Sequence, residues 1–189
     1  IKPSARAILC NSGQANAATG EGGWEDAIAS ANALANALNI APAAVLLAST
    51  GVIGQRIKMD ALIAGIPSLV AAATREGGDS AAKAIMTTDL VSKSIALETT
   101  IGDRTVRMGG MAKGSGMIHP NMATLLAFVT CDAAVSTTLW QQMLGRAADQ
   151  SFNQITVDGD TSTNDTLIAL ANGESRTPAI VQPGAEADK

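Results

Sequence analysis

Short apolar segments alternate with alanine-rich helical segments along this chain, and this alternation limits its fold more than any other feature. Residues 5–11 and 45–49 read as short buried strands, and residues 24–38 between them carry apolar side chains at helical spacing. The many alanines of that helix favour close packing against a sheet. Strands and helices that interleave in this way are typical of layered α/β proteins. We therefore expect an α/β or α+β layered domain.

The rest of the chain continues this pattern. We predict further helices over residues 59–74, 80–86 and 138–152, the first interrupted at Gly65 and Pro67. We predict further strands over residues 94–100, 104–108, 125–130, 155–158 and 166–171, of which the first two form a hairpin. From residue 174 the composition turns polar. The sequence thus predicts a single α/β domain over residues 1–173 and a polar connector over residues 174–189.

The composition of the chain and the length of its apolar runs argue against two classes of partner. The chain contains thirteen Lys and Arg residues and seventeen Asp and Glu residues, and aromatic residues make up only 2% of the sequence. Because nucleic-acid surfaces need clustered cations and often stacking aromatics, we expect no nucleic-acid partner. The longest apolar runs fall far short of the ~20 residues that a membrane helix needs, so we expect no membrane partner.

Cysteine and histidine are scarce. Two cysteines far apart in the sequence, Cys10 and Cys131, form neither a disulfide framework nor a metal-ligand set, and they are typical of reduced core thiols in a cytoplasmic protein. The single histidine, His119, argues against a metal site and against a Ser-His-Asp triad. We expect a cytoplasmic protein without a bound metal, in which His119 orders a loop or supports its neighbour Thr124.

A glycine-rich segment, residues 109–124, delivers Thr124 to the start of an apolar strand. Its Lys113-Gly114-Ser115 order does not match a phosphate loop, which needs Gly-Lys-Ser/Thr. A threonine at Thr124 suits a strand edge because it is β-branched. If the bond before it were cut, Thr124 would instead carry both a hydroxyl nucleophile and its own α-amine, whose reference pKa of ~8 suits a base. The residues alone leave both interpretations open.

Three other groups could carry chemistry. Thr50 and Gly51 follow a buried strand, so they form either an ordinary turn or a pair that stabilises an oxyanion. Lys113 is either solvated or steers a carboxylate substrate. The polar loop 158–165 offers oxygen ligands for Ca²⁺, but it lacks the glycine and the closing glutamate of an EF-hand. A hydrogen-bonded turn is the simpler interpretation of that loop.

Five segments of the chain resemble the ornithine acetyltransferase family, the bifunctional glutamate N-acetyltransferases of arginine biosynthesis. In chain order they are residues 11–20, 49–54, 86–89, 109–124 and 156–165. The resemblance implies a fold similar in logic to the N-terminal nucleophile enzymes. It also implies a precursor that cuts itself between Ala123 and Thr124, so that an α part (1–123) and the start of a β part (124–173) share the domain.

The family's chemistry implies a role for each matching residue. Thr124 would attack the acetyl group of N-acetylornithine, release ornithine and pass the acetyl group to glutamate. Thr50 and Gly51 match the oxyanion-stabilising pair, and Thr87 and Lys113 match substrate contacts. The resemblance implies no cofactor, with acetyl-CoA as a further candidate donor substrate, and an α2β2 heterotetramer. Two alternatives stay open: a related self-cleaving amidase or aminopeptidase, in which water accepts the acyl group, and an inactive truncated fragment of the transferase.

Overall fold

A computed structural model describes residues 4–117 and 125–188. Two compact units divide the chain: a first unit that ends at Ser92 and a second that begins at Lys93. Both combine helices with a sheet, which confirms the predicted mixed α/β class. The single domain over residues 1–173 remains a prediction. Within the described residues, no helix is both long and apolar enough to cross a membrane.

The first unit is a parallel strand pair with helical connections. Its elements are β1 (Ala7–Gln14), α1 (Gly20–Leu38), a 3-10 turn (Pro42–Ala44), β2 (Val45–Val52), α2 (Met59–Ala72) and α3 (Gly78–Ala84). Strands β1 and β2 pair in parallel, with Leu9 opposite Leu47 and Gly13 opposite Gly51. Since parallel strands need a crossover connection, α1 fills that role.

Small side chains let α1 approach the sheet closely, as its alanine content predicts. Ala35 is completely buried, and Leu34 packs with Leu9, Val45 and Ile66 in the core of the unit. The helix ends at Asn39, which adopts a left-handed conformation (φ +53°) and donates its backbone N–H to helical carbonyls. Because this core includes residues of both β1 and β2, it holds the two strands side by side.

Helix α2 runs through the predicted interruption without a break. Pro67 lies inside the helix, where it cannot donate the usual hydrogen bond to the carbonyl of Ile63. Ile63 lies on an exposed part of the helix, so water can reach this region. The break expected at Gly65 and Pro67 is therefore wrong, because the lost bond falls on the outer face.

The second unit is a four-stranded sheet with one long helix. The strands are β3 (Lys93–Ile101), β4 (Arg104–Lys113), β5 (Leu126–Cys131) and β6 (Thr166–Ala171), in that spatial order. The hairpin β3–β4 and the pair β4–β5 are antiparallel, whereas β5 and β6 are parallel. Helix α4 (Thr137–Asp149) begins at Ser136, whose hydroxyl caps the Leu139 N–H, and packs Leu139 onto the sheet.

The segment after α4 differs from its prediction. Residues 152–154 form a 3-10 turn, and the strand expected over residues 155–158 is wrong. Ile155 and Val157 are 47% and 60% exposed, so their apolar alternation has no buried face to occupy. A strand of four residues has few contacts to hold it without such a face.

The polar C-terminal segment packs onto the second unit. Thr177, Ile180 and Ala187 are buried, and Ile180 and Ala187 join the core that contains Leu139. The Ile180 N–H donates to the Ala134 carbonyl at 2.8 Å, and its carbonyl accepts from Ser136 N–H at 2.9 Å. The residues that composition marks as a connector thus contribute to the core.

Candidate active site

Thr50 and Gly51 lie near the C-terminal end of β2, beside the matching end of β1. Thr50 is opposite Ser12 and Gly51 is opposite Gly13. The carboxyl ends of adjacent parallel strands are where open α/β sheets bind their ligands. Only 1% of the surface of Thr50 is exposed, so this residue is held in one environment by its neighbours.

Gly51 occupies a position that only glycine can fill. Its φ is +133°, a region that other residues rarely adopt. A Cβ atom there would overlap the carbonyl group of Gly13 and would lie 2.6 Å from the Gln14 nitrogen. The backbone of β2 therefore approaches the backbone of β1 so closely at this residue that no side chain fits between them.

A buried serine and an exposed asparagine hold the end of β2 in place. The Ser49 hydroxyl donates to Asn16 Oδ1 at 2.6 Å and accepts from the Asn16 N–H at 2.9 Å. Ser49 is 3% exposed, so the serine side of both bonds is shielded from water. This pair links β2 to the loop that follows β1, immediately beside Thr50.

The segment that leads to Thr87 is hydrogen-bonded to β1 through Ser12. The Ser12 hydroxyl donates to the Ile85 carbonyl at 2.8 Å, just after α3 ends, and Thr87 follows two residues later. Thr87 is exposed, and its N–H donates to Asp89 Oδ2 at 3.4 Å. Because Ser12 is the register partner of Thr50, this bond connects the segment that leads to Thr87 with the strand end that carries Thr50.

The loop after Gly51 is held by an ion pair that sequence reasoning missed. Arg56 donates to both carboxylate oxygens of Asp26, at 2.8 and 2.7 Å. The hydrogen bond from Arg56 holds the pKa of the Asp26 carboxyl below its usual value; burial opposes this effect, and the positive charge of Arg56 adds to it. Gln14 bridges the same loop, donating to the Arg56 carbonyl at 2.6 Å and accepting from Lys58 N–H at 3.3 Å.

A signal for this ion pair was present in the sequence. The buried residues of α1 include Gly23, Asp26, Ser30 and Leu34, which recur at helical spacing. A carboxylate on a buried helix face needs a cationic or hydrogen-bonding partner. The spacing could have indicated that Asp26 is paired, although it could not have identified Arg56.

Lys113 lies in the second unit as the last residue of β4. It is 3% exposed and is opposite Leu126 of β5. The solvated interpretation of this lysine is therefore wrong, because strand pairing carries the residue into the interior. Fully buried lysines are rare unless they are paired with an anion, so this burial agrees with a role in binding a carboxylate.

The predicted nucleophile and cleavage junction lie outside the described residues. Ala123, Thr124 and His119 belong to segment 118–124, and the description resumes at Leu125. Their roles remain predictions.

The acidic loop 158–165 makes hydrogen bonds to backbone on both sides of this segment. Asp158 Oδ2 accepts from the Met117 N–H at 2.6 Å, and Asp165 Oδ1 accepts from the Leu125 N–H at 3.0 Å. Asp158 Oδ1 also accepts from the Asp160 N–H at 3.3 Å, as in a hydrogen-bonded turn. Over residues 4–117 and 125–188, no group of three or more His, Cys, Asp or Glu side chains could hold a metal ion.

Asp165 is electrostatically unusual. Burial raises the pKa of its carboxyl to about 6, although backbone hydrogen bonds from Leu125 and Ser162 oppose the rise. Among the described residues, its Oδ2 atom is buried and has no hydrogen-bond partner. A buried acceptor without a donor is uncommon in folded proteins and often marks a functional position.

A family model and two similar proteins all point to the same family. The sequence model of the ArgJ family matches residues 1–188. The chain is 76% identical over 188 residues to the arginine biosynthesis bifunctional protein ArgJ 1 of Nostoc sp., covering 100% of this chain and 46% of that protein. It is 71% identical to the ArgJ protein of Synechococcus sp., covering 98% of this chain and 45% of that protein. The chain thus spans less than half of the length of these relatives.

Two solved structures are also similar. The arginine biosynthesis bifunctional protein ArgJ of Bacillus halodurans is 42% identical, with a TM-score of 0.56 and coverage of 61% of both chains. The ornithine acetyltransferase of Mycobacterium tuberculosis, solved in complex with ornithine, is 38% identical, with a TM-score of 0.50. The match covers 63% of this chain and 62% of that one.

Proposed function

Because the chain belongs to the ArgJ family, we propose that it forms part of a self-cleaving acetyltransferase that moves an acetyl group from N-acetylornithine to glutamate. The observation that carries the proposal is the match over 188 residues to a protein of arginine biosynthesis. The ornithine complex of a 38% identical relative supports the donor substrate.

Self-cleavage generates the nucleophile. The Thr124 hydroxyl oxygen attacks the carbonyl carbon of Ala123, and the peptide C–N bond breaks to leave an ester between the two residues. Water then attacks that ester, which releases Ala123 with a carboxylate and Thr124 with both its hydroxyl and an α-amine. This amine is the general base of the mature enzyme, and no histidine is needed.

Acetyl transfer then proceeds in two halves. The Thr124 oxygen attacks the acetyl carbon of N-acetylornithine while the α-amine accepts the hydroxyl proton. The same amine delivers that proton to the departing nitrogen of ornithine, which leaves an acetyl ester on Thr124. The amino group of glutamate attacks this ester, loses a proton to the α-amine and takes the acetyl group, and the proton returns to the Thr124 oxygen.

Thr50 and Gly51 stabilise the negative oxygen that forms in each half. Donors of this kind are often worth a few kcal/mol in the transition state, provided that they are held in place beforehand. The burial of Thr50 and the glycine-only backbone at Gly51 supply that rigidity. Thr87 and Lys113 contact the substrates, and the buried ammonium group of Lys113 suits their α-carboxylates.

The proposal includes no cofactor. Acetyl-CoA is a second acetyl donor for glutamate, in keeping with the word "bifunctional" in the names of the relatives. The α and β parts assemble as an α2β2 heterotetramer. We place the enzyme in the cytoplasm, while plant relatives such as that of Ricinus communis are named chloroplastic.

Acceptor dependence tests the transferase directly. Ornithine release from N-acetylornithine is measured with and without glutamate, together with intact mass and N-terminal sequencing of the protein. We expect a species that begins with Thr124, acetylation of that species, and steady ornithine release only with glutamate. Steady release without an amino-acid acceptor would instead identify the related amidase or aminopeptidase, and a single uncleaved, inactive chain would identify the inactive fragment.

A further inference from the structure

The candidate oxyanion pair, Thr50 and Gly51, lies at the edge of the apolar core of the first unit. Leu47 is the last residue of β2 that packs with this core. Beyond Gly51, Val52 and Ile53 are 52% and 40% exposed. Apolar packing therefore decreases toward this end of the strand, and the position of the pair depends largely on hydrogen bonds.

Ser49 and Asn16 form a reciprocal contact directly before this pair. The Ser49 hydroxyl donates to Asn16 Oδ1 at 2.6 Å and accepts from the Asn16 N–H at 2.9 Å. A hydroxyl group can donate and accept at the same time, which an alanine at this position cannot do. Because the contact uses the backbone and the side chain of Asn16 together, it fixes both the distance and the orientation of that residue.

This contact closes a small ring of residues around Gly51. Residues 13–16 form one side of the ring and residues 49–51 form the other, and Gly13 lies opposite Gly51 where the two sides meet. A Cβ atom at Gly51 would overlap the Gly13 carbonyl, so the two backbones are already in close contact there. The second closure of the ring, between Ser49 and Asn16, holds residues 13–16 against that contact.

Two backbone hydrogen bonds extend the ring into the loops that follow. The Ala15 N–H donates to the Val52 carbonyl at 2.9 Å, and the Gly54 N–H donates to the Ala17 carbonyl at 2.9 Å. Ala15 and Ala17 flank Asn16 in the sequence, so a displacement of Asn16 would disturb both bonds. The Ala15 and Gly54 amides therefore report on the order of this strand end.

We propose that Ser49 and Asn16 are positioning residues for the oxyanion pair: the reciprocal contact between them holds Thr50 and Gly51 in the arrangement that stabilises the negative oxygen. Both residues act through the backbone of β2. Oxyanion donors are effective only when they are in place before the reaction, so a shift of this backbone slows the chemical step. This inference rests on the proposed function, which assigns the oxyanion role to Thr50 and Gly51.

Amide hydrogen exchange of the full chain tests the positioning without any need for catalysis. Ser49→Ala removes both hydrogen bonds, and we expect the Ala15 and Gly54 amides to exchange about tenfold faster or more, through local opening. The Ile40 amide, hydrogen-bonded just after α1, should change much less, whereas a global loss of stability would accelerate it as well. Ser30→Ala is the matched control, because Ser30 is also 3% exposed and also donates a hydrogen bond in this unit.

The rate of acetyl transfer to the enzyme tests the link to catalysis. Single-turnover kinetics with N-acetylornithine, on cleaved protein, give a rate constant that does not depend on the fraction of folded protein. We expect this constant to fall about tenfold or more in Ser49→Ala, with less than about a threefold change in half-saturating substrate. Asn16→Ala loses one of the two bonds and should show a smaller decrease.

Two further variants complete the kinetic series. Ser49→Thr keeps the hydroxyl group, so its rate constant should lie within about threefold of wild type. Ser30→Ala should keep the wild-type rate constant. A role limited to folding would change the amount of active protein in Ser49→Ala and Ser30→Ala alike and would leave both rate constants unchanged.

The outcomes separate this inference from the proposed function. Unchanged exchange at Ala15 and Gly54 in Ser49→Ala overturns the positioning, whatever the wild type does with substrate. Faster exchange with an unchanged rate constant overturns the link to the oxyanion pair and leaves the proposed function intact. If Ser49→Ala fails to fold or to cleave, both measurements on Asn16→Ala decide the matter. A wild-type chain that transfers no acetyl group overturns the proposed function and, with it, the oxyanion role that this inference needs.

Discussion

In the first unit a backbone conformation helps to hold the candidate residues, whereas in the second unit side-chain carboxylates bind the described residues beside segment 118–124. Gly51 has a conformation and a proximity to Gly13 that no other residue type tolerates. The residues that flank segment 118–124 are instead held by the carboxylates of Asp158 and Asp165. One unit thus holds its site-forming residues with the help of a backbone conformation that only glycine tolerates, while the other holds the flanking backbone through hydrogen bonds from side chains.

Substitution of Gly51 would show how rigid the first region is. In Gly51→Ala the unfavourable φ and the overlap with Gly13 act together, so we expect the free energy of unfolding to fall by roughly 2–6 kcal/mol. Gly54→Ala is the control, because Gly54 also has a positive φ (+80°) but its nearest neighbour would be 4.0 Å away. Urea unfolding measures both. Equal losses in the two variants would show that the close approach to Gly13 does not matter.

Truncation of Leu126 tests how firmly the second region is anchored. Leu126 is completely buried at the start of β5, beside the Leu125 that Asp165 holds. Leu126→Ala should lower the free energy of unfolding by about 2–5 kcal/mol, through lost burial and the cavity left behind. The exposed Leu90, at 95% exposure, is the matched control, and Leu90→Ala should change stability by less than about 0.5 kcal/mol. A small effect at Leu126 would mean that the hydrogen bonds alone anchor β5.

Removal of the Asp26 charge tests whether side chains also contribute to the first region. Asp26→Asn weakens the two-point contact with Arg56, so we expect a lower urea midpoint and lower acetyl transfer. The pair Arg146–Asp188, with both side chains more than half exposed, supplies the control Asp188→Asn. That variant should change the midpoint little, because exposed ion pairs contribute little. An unchanged Asp26→Asn would mean that the backbone and the Gln14 side chain support the Gly51 loop without the ion pair.

The smallest expected effect is a pH dependence of stability from Asp165. Its folded pKa of about 6 lies above its usual 3.8, so between these values the folded state binds more protons than the unfolded state. The free energy of unfolding should therefore fall as pH rises through this window and level off above it. Urea unfolding of wild type and Asp165→Asn at pH 4.5 and 7 measures the difference, and the variant should lose this dependence.

Asp26 contributes with the opposite sign and in another pH range. Its pKa is lowered by Arg56, so its stabilisation is lost only as pH falls below about 3.8. The two carboxylates can therefore be told apart in one titration. A wild-type stability that rises between pH 4.5 and 7 in step with Asp165→Asn would contradict the assignment of the raised pKa.

Periodic apolar segments predicted most of the fold. The strands and helices around Leu9, Leu34 and Val45 begin and end within a few residues of their predicted bounds, because their buried faces are visible as a pattern. Ile155 and Val157 show the same alternation without a face to bury. Burial depends on what other segments cover, and a local pattern does not contain that information.

The candidate site was predicted only in part. Thr50, Gly51 and Lys113 came from motifs and Thr87 from the family resemblance, and their roles stay predictions. The burial of Lys113 was not predicted, because a lysine beside glycines is usually solvated. The contact of Asp165 with Leu125 joins residues 40 positions apart and has no local signature. Thr124 and Ala123 remain predictions.

The antiparallel pairing of β4 with β5 has a consequence for the proposed mature enzyme. A cut before Thr124 would leave β3 and β4 on one polypeptide and β5 and β6 on another, so that the ladder from Met108–Cys131 to Lys113–Leu126 would join two molecules. Denaturation of this unit would then become a dissociation, with a midpoint that rises with protein concentration. Refolding after the cut would be a second-order reaction between two peptides, neither of which carries the whole sheet.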